Sequence, residues 1–251
     1  MEHLELILFF FAIAFVYASV GFGGGSSYLA ILAMYALPFK EMRMIALICN
    51  IIVVTGGVIV FIRNKQFDAK KIIPLALVSV PLAFLGAKMK LSEDMFFIIL
   101  GCSLLVASIL LWVKTRKDEV IVEAKQNYVR DGALGGAIGF LSGLVGIGGG
   151  IFLSPILNLM KWDTSKKIAA TASMFILVNS VSGLAGQLSE LPEGIDYQRI
   201  VILCCAVFIG GQLGSRMGAV KFNLQVVKRV TAVLVFIAGI EVLHKHLPWF
   251  N

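Results

Sequence analysis

The sequence predicts an all-α integral membrane protein made of two inverted repeats, each a broken re-entrant helical hairpin followed by three transmembrane helices. Three observations lead to this prediction: an excess of apolar residues, two half-length helices that each follow a glycine cluster, and an internal repeat. Of the 251 residues, 59% are apolar and 15% are charged, whereas a soluble domain has about 45–50% apolar and about 25% charged residues. This composition excludes a cytosolic enzyme, a disulfide-stabilised secreted domain and a nucleic-acid-binding protein, despite a net charge of +7.

Apolar runs without charged residues supply the predicted helices. They occupy residues 6–20, 44–62, 72–87, 95–113, 133–145, 168–188, 200–215 and, more weakly, 230–240. A spanning helix needs about 20 residues, so most of these runs cross the membrane once their flanking residues are counted. Two further runs, 26–37 and 151–160, reach only halfway across a bilayer, because an α-helix rises about 1.5 Å per residue.

The two short runs belong to an internal repeat. Residues 20–25, Val-Gly-Phe-Gly-Gly-Gly, match residues 145–150, Val-Gly-Ile-Gly-Gly-Gly, and seven of the thirteen positions from 20 to 32 are identical at this offset. Further matches, at an offset of 128, follow between Asp68 and Met89. The chain therefore divides into a first repeat (1–113), a linker (114–129) and a second repeat (130–251), which together form one membrane domain.

The distribution of basic residues distinguishes two topologies. Eight single crossings in parallel repeats would leave 11 Lys and Arg on each side, whereas inverted repeats with two re-entrant hairpins place 16 on one side and six on the other. Cytoplasmic loops carry an excess of basic residues, so we expect inverted repeats in the cell membrane with both termini outside the cytoplasm. The six outer basic residues are Lys40, Arg43, Lys88, Lys90, Arg199 and Lys245.

Each glycine cluster is expected to break a helix within the membrane. The helices predicted to start at Ser26 and Ile151 present unpaired N–H groups and a positive dipole end, which suit an anion. Inverted repeats would aim both starts at a shared midplane point. The candidate anion-binding residues of the two segments are Gly23, Gly24, Gly25, Ser26, Gly148, Gly149, Gly150 and Ile151. Close helix packing is the alternative role, and we favour it for the glycine pairs 56–57, 135–136 and 210–211.

Neutral polar side chains within the apolar runs are candidates for the same path. Asn50 and Thr55 lie near the middle of one run, and Asn179 and Ser180 lie near the middle of another. Such donors would hold an oxyanion without a full countercharge; alternatively, the hydroxyl groups bond to carbonyls of their own helices. Under the inverted topology the charged residues fall at helix ends, which disfavours a buried proton relay.

The sequence resembles the sulfite exporter TauE/SafE family of multi-pass membrane proteins over nearly its whole length. The resemblance rests on the Gly-x-Gly-Gly-Gly segments before the short helices, on Ser-Pro-Ile-Leu at 154–157 and on Ala-Ala-Thr-Ala-Ser at 169–173. It implies a permease for sulfite, sulfonates or related sulfur anions, and we expect alternating access of the two repeats around the midplane site. Thr171 and Ser173 join the candidate site. The first repeat lacks these two hydroxyls, so the second is expected to supply more of the hydrogen bonds.

Two other functions stay open. An intramembrane enzyme could use the thiols of Cys49, Cys102, Cys204 or Cys205, although no acid, base or metal partner in the sequence would activate them. A membrane scaffold without transport activity is the second alternative. We expect no enzymatic activity, no cofactor, no bound metal and no nucleic-acid partner. The expected partners are a small sulfur anion and the lipid bilayer, while the oligomeric state, the coupling ion and the direction of transport stay open.

Overall fold

The computed structural model describes residues 2–35, 37–113, 127–188, 195–218 and 224–246. Most of these residues are helical, and the described ranges contain no strand, so the all-α prediction is confirmed. In chain order the helices are α1 (Glu2–Ala18), α2 (Gly25–Met34), α3 (Phe39–Arg63), α4 (Ala69–Lys88), α5 (Glu93–Trp112), α6 (Tyr128–Val145), α7 (Gly150–Leu159), α8 (Ser165–Gln187), α9 (Tyr197–Gly218) and α10 (Leu224–His246).

Five of the described helices are long and apolar enough to cross a membrane: α3, α4, α5, α8 and α9. The three predicted spans of the first repeat are all in this group. The helices α6 and α10 have 18 and 23 residues but do not belong to it. Most of the linker 114–129 lies outside the described residues. So do residues 190–194 of the loop between α8 and α9.

The half-length helices α2 and α7 form as the short apolar runs predict. Each has ten residues, so each is about 15 Å long. Gly24 and Gly149 precede them in the left-handed conformation, with φ of 88° and 79°, which glycine adopts without steric cost. Each helix therefore begins one residue earlier than the sequence predicts, at Gly25 and Gly150.

The helices α1 and α9 pack in parallel through two glycines. Gly210 lies against the carbonyl of Phe11, and Gly214 lies one turn further along against the carbonyl of Phe15. A Cβ atom at either glycine would overlap those carbonyl oxygens. These contacts agree with the packing role that the sequence favours for the 210–211 pair.

The helix α3 also runs parallel to α9. Near the start of both helices, Arg199 donates to Glu41 with an Nη1 to Oε1 distance of 3.2 Å, and further along Gly211 lies against Val53. Since α1 and α3 both run with α9, they point in the same direction. The short helix α2, which packs on α3, connects α1 to α3.

The helices α3 and α8 cross in opposite directions. Gly57, in the second half of α3, faces Ser173 in the first half of α8, whereas Leu47 in the first half of α3 faces Gly183 in the second half of α8. The pair α5 and α10 shows the same arrangement, because the Phe97 ring near the start of α5 stacks on His246 at the end of α10.

The helices α4 and α6 pack in parallel along a row of three glycines. Each of these three glycines of α6 lies against the backbone of one α4 residue, and the positions are four residues apart on both helices. The pairs are Gly135 with Leu75, Gly139 with Ser79 and Gly143 with Ala83. A side chain at any of the three would meet backbone atoms of α4. Close packing is therefore the role of Gly135, as the sequence indicates for the 135–136 pair.

Charged side chains pair at the turn between α7 and α8. Lys71, in the first turn of α4, reaches Asp163 with an Nζ to Oδ2 distance of 2.6 Å, and Lys167 lies 3.7 Å from the other carboxylate oxygen. Partial burial raises the pKa of Asp163, but the hydrogen bonds and charges of its partners outweigh that effect and lower the pKa overall. This ion cluster ties α4 to the α7–α8 turn.

Candidate functional site at the glycine-rich helix breaks

The side chain of Asn50 joins the two glycine-rich segments. Its Oδ1 accepts a hydrogen bond of 2.9 Å from the N–H of Gly25, the first residue of α2. Its Nδ2 donates a hydrogen bond of 3.0 Å to the carbonyl of Ile147, three residues before α7. Asn50 is fully buried, so both halves of its amide are satisfied by backbone groups that the helix breaks would otherwise leave unpaired.

Glycines of both segments meet the same two side chains, Asn50 of α3 and Ile176 of α8. A Cβ atom at Gly23 would overlap Asn50 and lie 3.3 Å from Ile176, and one at Gly148 would lie 2.9 Å from each. A Cβ atom at Gly150 would overlap Ile176. The absence of side chains at these glycines therefore allows both helix breaks to approach the point where α3 and α8 cross.

Ser180 lies beside the second glycine segment. Its Oγ would be 3.0 Å from a Cβ atom at Gly148, and the residue is fully buried. Among the described residues this hydroxyl has no hydrogen-bond partner. A buried hydroxyl without a partner costs free energy, so it is a candidate to bind a substrate or a water molecule.

We use the name glycine junction for the residues that meet at this crossing. They are Gly23, Gly25, Asn50, Gly148, Gly150, Ile176 and Ser180. The N-terminal ends of α2 and α7 both lie here, and these ends carry the positive poles of the helix dipoles. The junction itself contains no charged side chain, so its electrostatic field comes from backbone N–H groups and neutral donors.

Other predicted site residues lie outside the junction or have partners elsewhere. The hydroxyl of Thr55 donates to the carbonyl of Ile51 in its own helix. Asn179 Nδ2 donates to the carbonyl of Phe175 over 2.8 Å, and its Oδ1 has no partner in the ranges that the structure describes. The Thr55 bond follows the alternative in which hydroxyl groups bond to carbonyls of their own helices. The amide of Asn179 does the same, although the sequence gives that role only to hydroxyl groups.

The remaining predicted residues are buried close to the helix breaks in sequence or space. The hydroxyl of Ser173 donates to the carbonyl of Gly21 over 2.7 Å and so connects α8 to the first glycine segment. Ser26, Ile151 and Thr171 are each at most 3% exposed. Gly24 and Gly149 provide the left-handed residues that precede α2 and α7.

Sequence reasoning missed two residues of this region. Ile176 carries no chemical signal of its own, and its correspondence to Asn50 is spatial, because Ile176 meets Gly150 as Asn50 meets Gly25. Arg43 is buried, at 4% exposure, and its Nη2 donates to the carbonyl of Gly143 over 2.8 Å. Its position one turn into an apolar helix was the available signal for burial.

Two of the cysteines contact each other, because the thiols of Cys49 and Cys204 form a hydrogen bond. Cys49 is buried beside Asn50 in the sequence, whereas Cys102 and Cys205 are exposed. In the ranges that the structure describes, no group of three or more His, Cys, Asp or Glu residues could hold a metal ion.

Comparison with known proteins gives a consistent result over the whole chain. The family described as "Sulfite exporter TauE/SafE" matches residues 6–242. The chain is 30% identical over 248 residues to the probable membrane transporter protein y4hK of Sinorhizobium fredii. The matched region covers 96% of this chain and 98% of that protein. No solved structure of another protein matches the chain significantly.

Two relatives from Bacillus subtilis carry the same kind of name. The probable membrane transporter protein YdhB is 25% identical over 248 residues, 95% of this chain and 99% of that protein. The probable membrane transporter protein YunE is 24% identical over 217 residues, 78% of each chain. The similarity to these relatives therefore extends over most or all of the membrane domain.

Proposed function

Because the chain belongs to the sulfite exporter TauE/SafE family of membrane transporters, we propose that it is a permease for small sulfur oxyanions, such as sulfite or the head groups of organosulfonates. The observation that carries this proposal is the glycine junction, where Asn50 joins the N–H of Gly25 to the carbonyl of Ile147. The junction combines the positive ends of two half-length helices with neutral donors. That combination suits a small anion that must bind and then leave.

The repeats 1–113 and 130–251 are, in this proposal, inverted with respect to the membrane. Equivalent helices support this topology, because α3 and α8 cross in opposite directions, and so do α5 and α10. The 16 to 6 division of basic residues supports it independently. Both half-length helices then start near the midplane and return to the side from which their hairpins entered.

The two halves of the site are not equivalent. The start of α2 is occupied by Asn50, which already accepts the hydrogen bond of the Gly25 N–H. At the start of α7 the corresponding side chain is Ile176, which has no polar atom, and the unpartnered hydroxyl of Ser180 lies nearby. The anion therefore binds at the N–H groups of Gly150 and Ile151 together with Ser180, so that the second repeat supplies most of the hydrogen bonds.

Alternating access of the two repeats is the proposed mechanism, and the packing of Asn50 and Ile176 supports it. Both side chains lie against glycines of both repeats, so a shift of one hairpin against α3 and α8 would open one route and close the other. For an exported anion the inside-negative membrane potential assists, by about 2.3 kcal/mol per charge per 100 mV. A potential-dependent flux is therefore expected even without a coupling ion.

The test is anion flux in proteoliposomes that contain the full chain, with and without an imposed potential. Sulfite, sulfate, methanesulfonate and chloride are compared at equal ionic strength. The proposal predicts saturable flux of at least one sulfur anion and a rate that depends on the potential. Protein-free liposomes provide the leak control. The absence of saturable flux for every sulfur anion would contradict the proposed function.

A further inference from the structure

A cavity lined by basic side chains lies away from the glycine junction. We propose that a cavity between the start of α3, the α4–α5 turn and the end of α8 binds a small oxyanion at the outer mouth of the transport path. Its volume is about 190 Å³, and a water molecule in the liquid takes about 30 Å³. The cavity is therefore large enough for a sulfur oxyanion with part of its hydration shell.

The charge of the lining is strongly positive. Lys40, Arg43, Lys88 and Lys90 all line the cavity, and none of its described lining residues is acidic. The three lysines are exposed, whereas Arg43 is buried. An anion approaching from solvent would therefore first meet hydrated ammonium groups and then a desolvated guanidinium, whose attraction is stronger because less water screens it.

Two buried donors of the lining have no acceptor among the described residues: Arg43 Nε and Gln187 Nε2. The Arg43 guanidinium is fixed at its other end, where Nη2 donates to the carbonyls of Gly143, over 2.8 Å, and Ala87, over 3.4 Å. Arginine presents its N–H groups in a planar fork that matches the oxygens of an oxyanion. A buried donor without an acceptor is costly, so a ligand that accepts from both groups would remove that cost.

The distribution of Lys and Arg between the two sides of the membrane gives a second reason for the site. This reason rests on the topology of the proposed function. The positive-inside rule disfavours Lys and Arg in outer loops, yet six remain there. Of these, Arg199 pairs with Glu41, and Lys245 Nζ donates to the carbonyl of Ala33 at the end of α2. The other four, Lys40, Arg43, Lys88 and Lys90, all line the cavity, and an anion bound there would give these four residues a common role.

The cavity connects to the glycine junction through α3. Arg43 precedes Asn50 by seven residues, a rise of about 10 Å, and the Arg43 side chain lies against Gly146 of the second glycine segment. An anion held by Arg43 is thus about two helical turns from the midplane site. The cavity would collect the anion before it reaches the junction, or receive it afterwards, according to the direction of transport.

The experiment measures equilibrium binding of radiolabelled sulfate to the purified full chain in nanodiscs, with sulfite and methanesulfonate as competitors and chloride as the ionic-strength control. Three variants locate the site: Arg43→Gln, Gln187→Met and, as the matched control, Arg216→Gln, which removes an exposed arginine that does not line the cavity. We expect about tenfold or greater loss of affinity for Arg43→Gln and about threefold to tenfold for Gln187→Met. Arg216→Gln should bind as the unmodified chain does.

If Arg43→Gln fails to fold, Gln187→Met decides the outcome, since the amide nitrogen of Gln187 has no partner among the described residues to lose. Unchanged sulfate affinity in Gln187→Met, or no binding of any of the three sulfur anions to the unmodified chain, would overturn this inference. Binding that depends on Arg43 and Gln187 without any flux in proteoliposomes would contradict the proposed function and leave the outer site standing.

Discussion

The Oδ1 atom of Asn50 accepts a hydrogen bond of 2.9 Å from the backbone N–H of Gly25, and this bond connects the middle of a spanning helix to the start of a half-length one. The same amide donates to the carbonyl of Ile147 over 3.0 Å. One side chain thus pairs with a backbone group at the helix break of each repeat. Its removal should affect stability and transport together.

Replacement of Asn50 by alanine tests this connection. The substitution leaves the Gly25 N–H and the Ile147 carbonyl buried without partners, so we expect the free energy of unfolding to fall by on the order of 2 kcal/mol. Thermal unfolding in detergent and flux in proteoliposomes measure the two effects. Thr55→Ala on the same helix is the control, because its hydroxyl bonds only to its own helix. Equal stability of the two variants would contradict the role assigned to Asn50.

The packing glycines make a separate prediction about stability. A Cβ atom at Gly139 would lie 2.6 Å from the Ser79 carbonyl oxygen, whereas one at Gly57 meets only Ser173 Oγ at 3.9 Å. Gly139→Ala should therefore destabilise the chain by about 1–3 kcal/mol through overpacking. Gly57→Ala should be neutral, or stabilising by up to about 1 kcal/mol through helix propensity. Unfolding of both variants in denaturant checks the difference, and a reversed order would be incompatible with the α4–α6 contact.

The inverted topology predicts which loops share a side of the membrane. Single cysteines replace Asn64, Glu93 and Lys166, which are all exposed, in a chain whose four native cysteines are changed to serine or alanine. An impermeant maleimide should label positions 64 and 166 from the same side and position 93 from the opposite side. Parallel repeats would instead group position 166 with position 93, and that result would rule out inversion.

The ion cluster of Asp163 predicts how stability depends on pH. Its pKa is lowered in the folded chain by Lys71 and Lys167, against the effect of burial, and in the unfolded chain an aspartate has a pKa of about 3.9. The stabilisation is thus fully present above about pH 4 and is lost as the pH falls through the lower folded value. Unfolding measured from pH 7 downwards should show this loss, and Asp163→Asn should reduce it. An identical pH dependence in the variant would exclude Asp163 as its source.

The sequence was sufficient to predict the half-length helices because their signals are local. Three consecutive glycines, followed by a run too short to span, indicate a helix break, and Gly24 and Gly149 adopt the left-handed conformation that makes each cluster necessary. The start positions differ by one residue from the prediction. The periodicity of apolar residues cannot identify which glycine precedes the first helical turn.

The partners of the polar side chains could not be predicted, since they depend on how distant helices cross. Asn50 reaches Ile147, 97 residues away, whereas Asn179 bonds to Phe175 in its own helix; the two asparagines look alike in the sequence. The sequence predicts Arg43 at a helix end on the outer side of the membrane and indicates no partner for its guanidinium. Its burial results from carbonyl groups of α4 and α6, which no local pattern places beside it.

The location of the anion site is tested most directly by the Michaelis constant for sulfur-anion flux in Ser180→Ala, compared with Ser182→Ala. Ser180 Oγ lies at the junction with no hydrogen-bond partner in the described part of the chain, whereas Ser182 Oγ donates to the carbonyl of Val80 over 2.6 Å. We predict that Ser180→Ala raises the constant by about threefold to tenfold without loss of stability. Ser182→Ala should leave it unchanged and lower the free energy of unfolding by about 1 kcal/mol. An unchanged constant in Ser180→Ala, with flux intact, would contradict an anion site at the glycine junction.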